Sequence, residues 1–116
     1  MFIAETESFI AILEKKPLVL GHVVVISKRI EDHFFDLSSE ELSSILPFAK
    51  RLSTAIQKTI PCKKVGVAVI GLETRHAHLH LVPLTSADDL NFTKPKLTPS
   101  DSELNQVLSQ MRSILF

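Results

Sequence analysis

Arg75-His76-Ala77-His78-Leu79-His80-Leu81-Val82-Pro83 is the stretch on which the fold turns. From residue 76 to 81 polar and apolar side chains alternate strictly, which is the period of a β-strand. The alternation predicts a strand with His76, His78 and His80 on one face and Ala77, Leu79 and Leu81 on the other. Same-face neighbours on a strand stand roughly 6.5–7 Å apart, so three imidazoles can act on one small target. Spacing alone leaves three uses open: a polar face turned to water, a metal site, or chemistry on a phosphoryl group. A pair of histidines two apart is a common metal-ligand arrangement. Here the only nearby carboxylate is Glu73, and a further ligand such as His22 would have to come from elsewhere in the chain.

Outward from this stretch, the pattern predicts an α+β chain. Phe2 to Thr6 and Phe9 to Leu13 are short apolar runs about Glu7-Ser8, a hairpin signal. Gly21-His22-Val23-Val24-Val25-Ile26 is β-branched and fit for a buried strand. Ser38 with Glu41 forms a capping box, and Leu37 with Leu42 a hydrophobic staple, so a helix begins there. Leu42, Ile45, Leu46, Ala49, Leu52, Ile56 and Ile60 give it one apolar face, and Pro61 ends it. Pro47 inside that pattern predicts a kink or a later start. Val65 to Leu72 reads as a strand with a turn or bulge at Gly71, and residues 85–99 as a connecting loop. Ser100 with Glu103 caps a closing helix whose apolar face is Leu104, Val107, Leu108, Met111 and Leu115. About five strands and two helices in a single domain over residues 1–116 follow.

Composition narrows the function. The chain has 116 residues and 12.9 kDa, room for one core. Thirteen Lys and Arg balance 13 Asp and Glu, so the basic excess of a nucleic-acid binder is missing. Cys62 is the only cysteine, which excludes an internal disulfide and a multi-cysteine zinc site. No apolar run approaches the roughly 18 residues of a membrane span, and a cytoplasmic protein with no membrane partner is expected.

Gly71-Leu72-Glu73-Thr74-Arg75-His76-Ala77-His78-Leu79-His80-Leu81-Val82-Pro83 closely resembles the signature of the histidine triad family, three histidines alternating with apolar residues. Phe9 to Pro17 and Gly21 to Ile26 resemble that family's second and third strands, and Asp36 to Leu42 the entry to its long helix. The resemblance runs from about Phe2 to Ile114, without the family's usual N-terminal extension. It implies an antiparallel sheet, a two-fold homodimer, and hydrolysis at the α-phosphate of nucleoside phosphoramidates or dinucleotides. By the resemblance His78 is the nucleophile that forms a nucleotidyl-histidine intermediate. His80 contacts the phosphate and leaving group, His76 orients the nucleophile, and His22 stands beside the triad. Glu14 replaces the aspartate that binds ribose hydroxyls, and Ile12 and Leu13 wall the base pocket of an AMP-like purine nucleotide. Glu73 stands where the family usually has serine, and the asparagine of the preceding strand is not evident. A nucleotide-binding protein with little turnover, or a metal-dependent hydrolase, is the alternative.

The chemistry also stands on the residues. A neutral imidazole is a competent nucleophile near pH 7, given one bare ring nitrogen. A flanking histidine that protonates a leaving amine or phosphate contributes typically about 10²–10⁴-fold. No metal or other cofactor is required. Glu73 would repel a phosphate unless paired with Arg75 or a substrate amine, and His33 and Lys63-Lys64 are expected to be structural and solvated.

Overall fold

The computed structural model describes residues 1–116. Five antiparallel strands form one sheet: β1 (Phe2–Glu5), β2 (Phe9–Leu13), β3 (Val23–Ser27), β4 (Lys64–Ala68) and β5 (His78–Leu84), in the order β1-β2-β3-β5-β4. Thr6 closes the β1–β2 turn, its hydroxyl oxygen accepting from the backbone amides of Ser8 and Phe9. Two helices, α1 (Ser39–Thr59) and α2 (Asp101–Leu115), pack together against one face of the sheet. Both begin at the predicted capping boxes, Ser38 with Glu41 and Ser100 with Glu103. No helix is long and apolar enough to cross a membrane.

Register decides which side chains the helices cover. Leu13, Val23 and Leu81 share a row, as do Ala11, Val25 and Leu79, and all are buried in the core. The α1 side of that core is Ile45, Phe48, Ala49, Leu52, Ala55 and Ile56, and the α2 side Leu104, Val107 and Met111. The opposite face carries Ile12, Val24 and His80 in one row and Ile10, Ile26 and His78 in the next. One face of β5 therefore anchors the core while the other presents histidines.

Four expectations are corrected. Helix α1 starts at Ser39 and runs through Pro47, without a late start. Leu46, placed on its buried face by the spacing, is 59% exposed, because Phe48 and Ala55 extend the covered face the other way. Strand β4 ends at Ala68, opposite His80, and the chain from Val69 leaves the sheet and turns at Gly71 (φ +69°). A 3-10 turn, Ala87–Leu90, interrupts the loop that follows β5.

Gly21, just before His22, has φ +101°, a conformation that glycine alone adopts without strain. A Cβ there would stand 2.6 Å from Ile60 Cγ1, at the end of α1. Gly21→Ala therefore lowers stability by about 1–3 kcal/mol, through backbone strain and overpacking together. A denaturant midpoint unchanged from wild type would contradict this.

Candidate active site

Strand β5 begins at His78, so His76 lies two residues before it. With β4 already gone, the Ala77 amide turns to Glu31 O at 2.7 Å, and Ser27 N–H donates to Ala77 O at 3.1 Å. The predicted strand over 76–81 is thus shortened at its start. His76 is still held at the site, since its Nε2 donates to Ser27 O at 2.7 Å.

Hydrogen-bond partners then fix the ring protons. His78 Nδ1 lies 2.7 Å from His76 O. A carbonyl only accepts, so Nδ1 carries the proton and Nε2 keeps a bare lone pair. Leu18 N–H donates to His22 Nδ1 at 3.2 Å, which places the His22 proton on Nε2. That Nε2 stands 2.9 Å from His80 Nδ1 and donates to it, leaving the His80 proton on Nε2. One backbone amide therefore sets the tautomer of two histidines in sequence. The site presents a bare nitrogen on His78 and a donor on His80, with their rings 4.8 Å apart.

Burial keeps this chain of imidazoles neutral. His22 is held down to about 3, by desolvation first and then by the charges that His80 and Lys96 would add. His80 is held down to about 4, again by desolvation first, then by His78 and Lys96. Both rings are protonated near 6.5 once the chain unfolds. The unfolded chain then binds more protons than the folded one between 6.5 and about 4, so stability is lost as the pH drops through that window. The contribution is present in full above about pH 6.5. Denaturant midpoints at pH 7 and pH 5 are expected to drop at the lower value. Equal midpoints would contradict the neutral pair.

The remaining predicted residues divide by face. Ile12 lies in the row of Val24 and His80. Glu14 continues that side of β2, its amide donating to His22 O at 2.9 Å, and its carboxylate has no partner in the protein. Leu13 is corrected: it points into the core beside Val23, so it cannot wall a pocket on the histidine face. Glu73 is exposed, and Arg75, one of the two partners that would offset its charge, instead reaches Asp32 with its Nε at 3.2 Å. His33 is exposed and edge-on to Phe35, with ring centroids 6.0 Å apart. It borders a cleft of about 260 Å³ that Phe34, Phe35, Val69, Ile70 and His78 also line. No group of three or more His, Cys, Asp or Glu side chains is placed to hold a metal ion.

Sequence reasoning missed Phe92. Its ring packs 4.7 Å from that of His80 and 6.3 Å from that of His22, supplying part of their desolvation. Nothing periodic marks residue 92; the only signal is an aromatic inside a polar loop.

The comparisons with known proteins agree with this geometry. A profile of the HIT domain matches residues 1–87. The bis(5'-adenosyl)-triphosphatase of Dictyostelium discoideum is 30% identical over 94% of this chain and 81% of its own length. The asymmetrical bis(5'-nucleosyl)-tetraphosphatase of Schizosaccharomyces pombe is 27% identical over 83% of this chain, which spans about half of that protein, 54%. Among solved structures, a hypothetical histidine triad nucleotide-binding protein of Sulfolobus tokodaii superposes with a TM-score of 0.83. It covers 98% of this chain and 82% of its own, at 24% identity. With its five-stranded antiparallel sheet, two helices and histidine-bearing strand, this chain belongs to the HIT, or histidine triad, family.

Proposed function

We propose that the chain is a nucleotide hydrolase acting at the α-phosphate through a covalent nucleotidyl-histidine on His78. One observation carries the reading: the His76 carbonyl holds the His78 proton on Nδ1 and leaves Nε2 bare toward the site. The lone pair of Nε2 attacks phosphorus, and the bond to the leaving atom breaks with its electron pair. Water then attacks the same phosphorus, restoring His78 and releasing a nucleoside monophosphate. His80 Nε2–H donates a hydrogen bond to the leaving atom or to an equatorial oxygen, and His76 holds the nucleophile in place. The reading uses no metal.

The neutral state of His80 favours one leaving group over another. A departing amine needs a whole proton, whereas a departing phosphate leaves as an anion and needs only donors. Dinucleoside polyphosphates are therefore the favoured substrates and nucleoside phosphoramidates the second. The names of the Dictyostelium and Schizosaccharomyces relatives support the same order. On the sheet face beside His80, Ile12 and Val24 offer an apolar floor for an AMP-like purine nucleotide. The free Glu14 carboxylate accepts from ribose hydroxyls. A cytoplasmic setting and a homodimer belong to the same reading. The outer edge of β4 has no partner strand, and the exposed Leu46 and Val67 beside it line a shallow apolar groove.

The test is release of AMP from diadenosine triphosphate and from adenosine 5′-phosphoramidate, with chelator present throughout. Turnover of the first at a higher kcat/KM is expected, together with a 1:1 nucleotidyl adduct that survives an alkaline denaturing quench and is lost in acid. No turnover of either, with AMP still bound in calorimetry, would leave a binding protein and overturn the hydrolase reading.

A further inference from the structure

The chain is electrically neutral, yet the proposed ligand is an anion, so a local cation has to meet it. Several of the chain's cations are already paired. Lys28 pairs with Glu5, Arg29 with Glu31 and Glu41, Arg75 with Asp32, and Lys94 with Asp88. Lys96 makes no ion pair. Its Nζ donates to Phe92 O at 2.9 Å and to Lys94 O at 3.5 Å, and an ammonium has three N–H groups. The third is free. Nζ also stands 5.7 Å from the centroid of the Phe92 ring, which in turn packs on the His80 ring at 4.7 Å. A ladder of ammonium, phenyl and imidazole thus runs from Lys96 to the proposed donor on His80.

The segment bearing this ladder is fastened at both ends. Asn91 N–H donates to Asp88 O and Lys94 pairs with Asp88 on the β5 side. Leu97 N–H donates to Pro17 O at 2.9 Å, one residue before the amide that sets the His22 tautomer. Residues 91–97 therefore form a strap across the His22–His80 end of the site.

We infer that Lys96 is a specificity-determining residue, its free N–H meeting the phosphate chain beyond the α-phosphate and so selecting nucleotides with a polyphosphate leaving group. The inference rests on the hydrolase reading above and names its substrate class. An amine leaving group carries no charge for Lys96 to meet. The negative charge of a di- or triphosphate remainder does, and it grows as the bond at the α-phosphate breaks.

The experiment compares wild type, Lys96→Met and Lys96→Arg on diadenosine triphosphate and adenosine 5′-phosphoramidate. Methionine keeps the unbranched stem over Phe92 and removes the charge. The ratio of kcat/KM for the two substrates is expected to fall about 10-fold or more in Lys96→Met, the value of one charge-assisted hydrogen bond. Arginine is expected to restore most of it, and added salt to narrow the difference. An unchanged ratio would overturn the inference even with full activity present. Calorimetry with ADP against AMP reads the same contact without turnover: Lys96→Met is expected to weaken ADP more than AMP. A wild type that binds both but hydrolyses nothing overturns the hydrolase reading, and the binding difference then decides Lys96. Equal weakening of the two overturns Lys96 alone, and a wild type that binds neither overturns both.

Discussion

His78→Ala is expected to lower kcat on diadenosine triphosphate by about 10⁴-fold or more, as removal of a covalent nucleophile does elsewhere. The side chain is half-buried at the start of β5 and its only hydrogen bond is to a carbonyl that water can also serve. Stability should therefore hardly change. The 1:1 adduct seen on alkaline quench should vanish with the activity. Activity retained within tenfold would remove His78 from the nucleophilic role, whatever the family. Loss of activity with loss of fold would show itself in the denaturant midpoint and would not count.

His22→Ala carries the second large effect, on activity and stability together. Leu18 N–H loses its acceptor, and a buried amide without a partner costs about 1–3 kcal/mol. His80 loses the donor that fixed its proton on Nε2, so its ring is free to place a bare nitrogen toward the leaving atom. Removing one preorganised donor at a developing charge typically costs about 10²–10³ in kcat, and that range is expected here. Water entering the space would also weaken the desolvation that holds His80 down, so its titration should move up toward the ordinary imidazole value. Ring resonances of His80 followed by NMR from pH 4 to 8 would report this. His22→Gln offers an amide N–H to His80 and an oxygen to Leu18, so part of the rate should return. A purely packing role for His22 predicts no such rescue and no change in the His80 titration.

Much of the fold could be read from local pattern because local pattern causes it. The two capping boxes start α1 and α2 where Ser38 and Ser100 stand, since those hydroxyls satisfy amides that the helix cannot. Strict alternation placed His78 and His80 opposite Leu79 and Leu81. What failed was set by partners distant in sequence. Val69 to Leu72 has strand composition, but β4 ends at Ala68 and the segment has no neighbour to pair with. His76 falls outside the strand because Ala77 bonds to Glu31, across 46 residues that no periodicity spans. Leu13 was misplaced by parity: one step along β2 from Ile12 is the opposite face. At the site, the three histidines and His22 were legible, but the route of protons through Leu18 was not. It depends on a backbone amide, which every residue but proline possesses. Phe92 and Lys96 were hidden for a related reason, since a loop brings residues together without repeating them.

The strap of residues 91–97 separates two jobs that enzymes often combine in the same side chains. Attack on phosphorus is assigned to His78 in the sheet, braced by a core that tolerates little change. Choice of leaving group is assigned to a loop pinned at Asp88 and Pro17, with its exposed residues free to vary between the pins. A population of such chains could therefore diversify its substrates quickly while its chemistry stays still. Libraries restricted to the exposed Thr93, Pro95 and Lys96 should yield altered preference at undiminished stability, which makes the strap a practical handle for redesign.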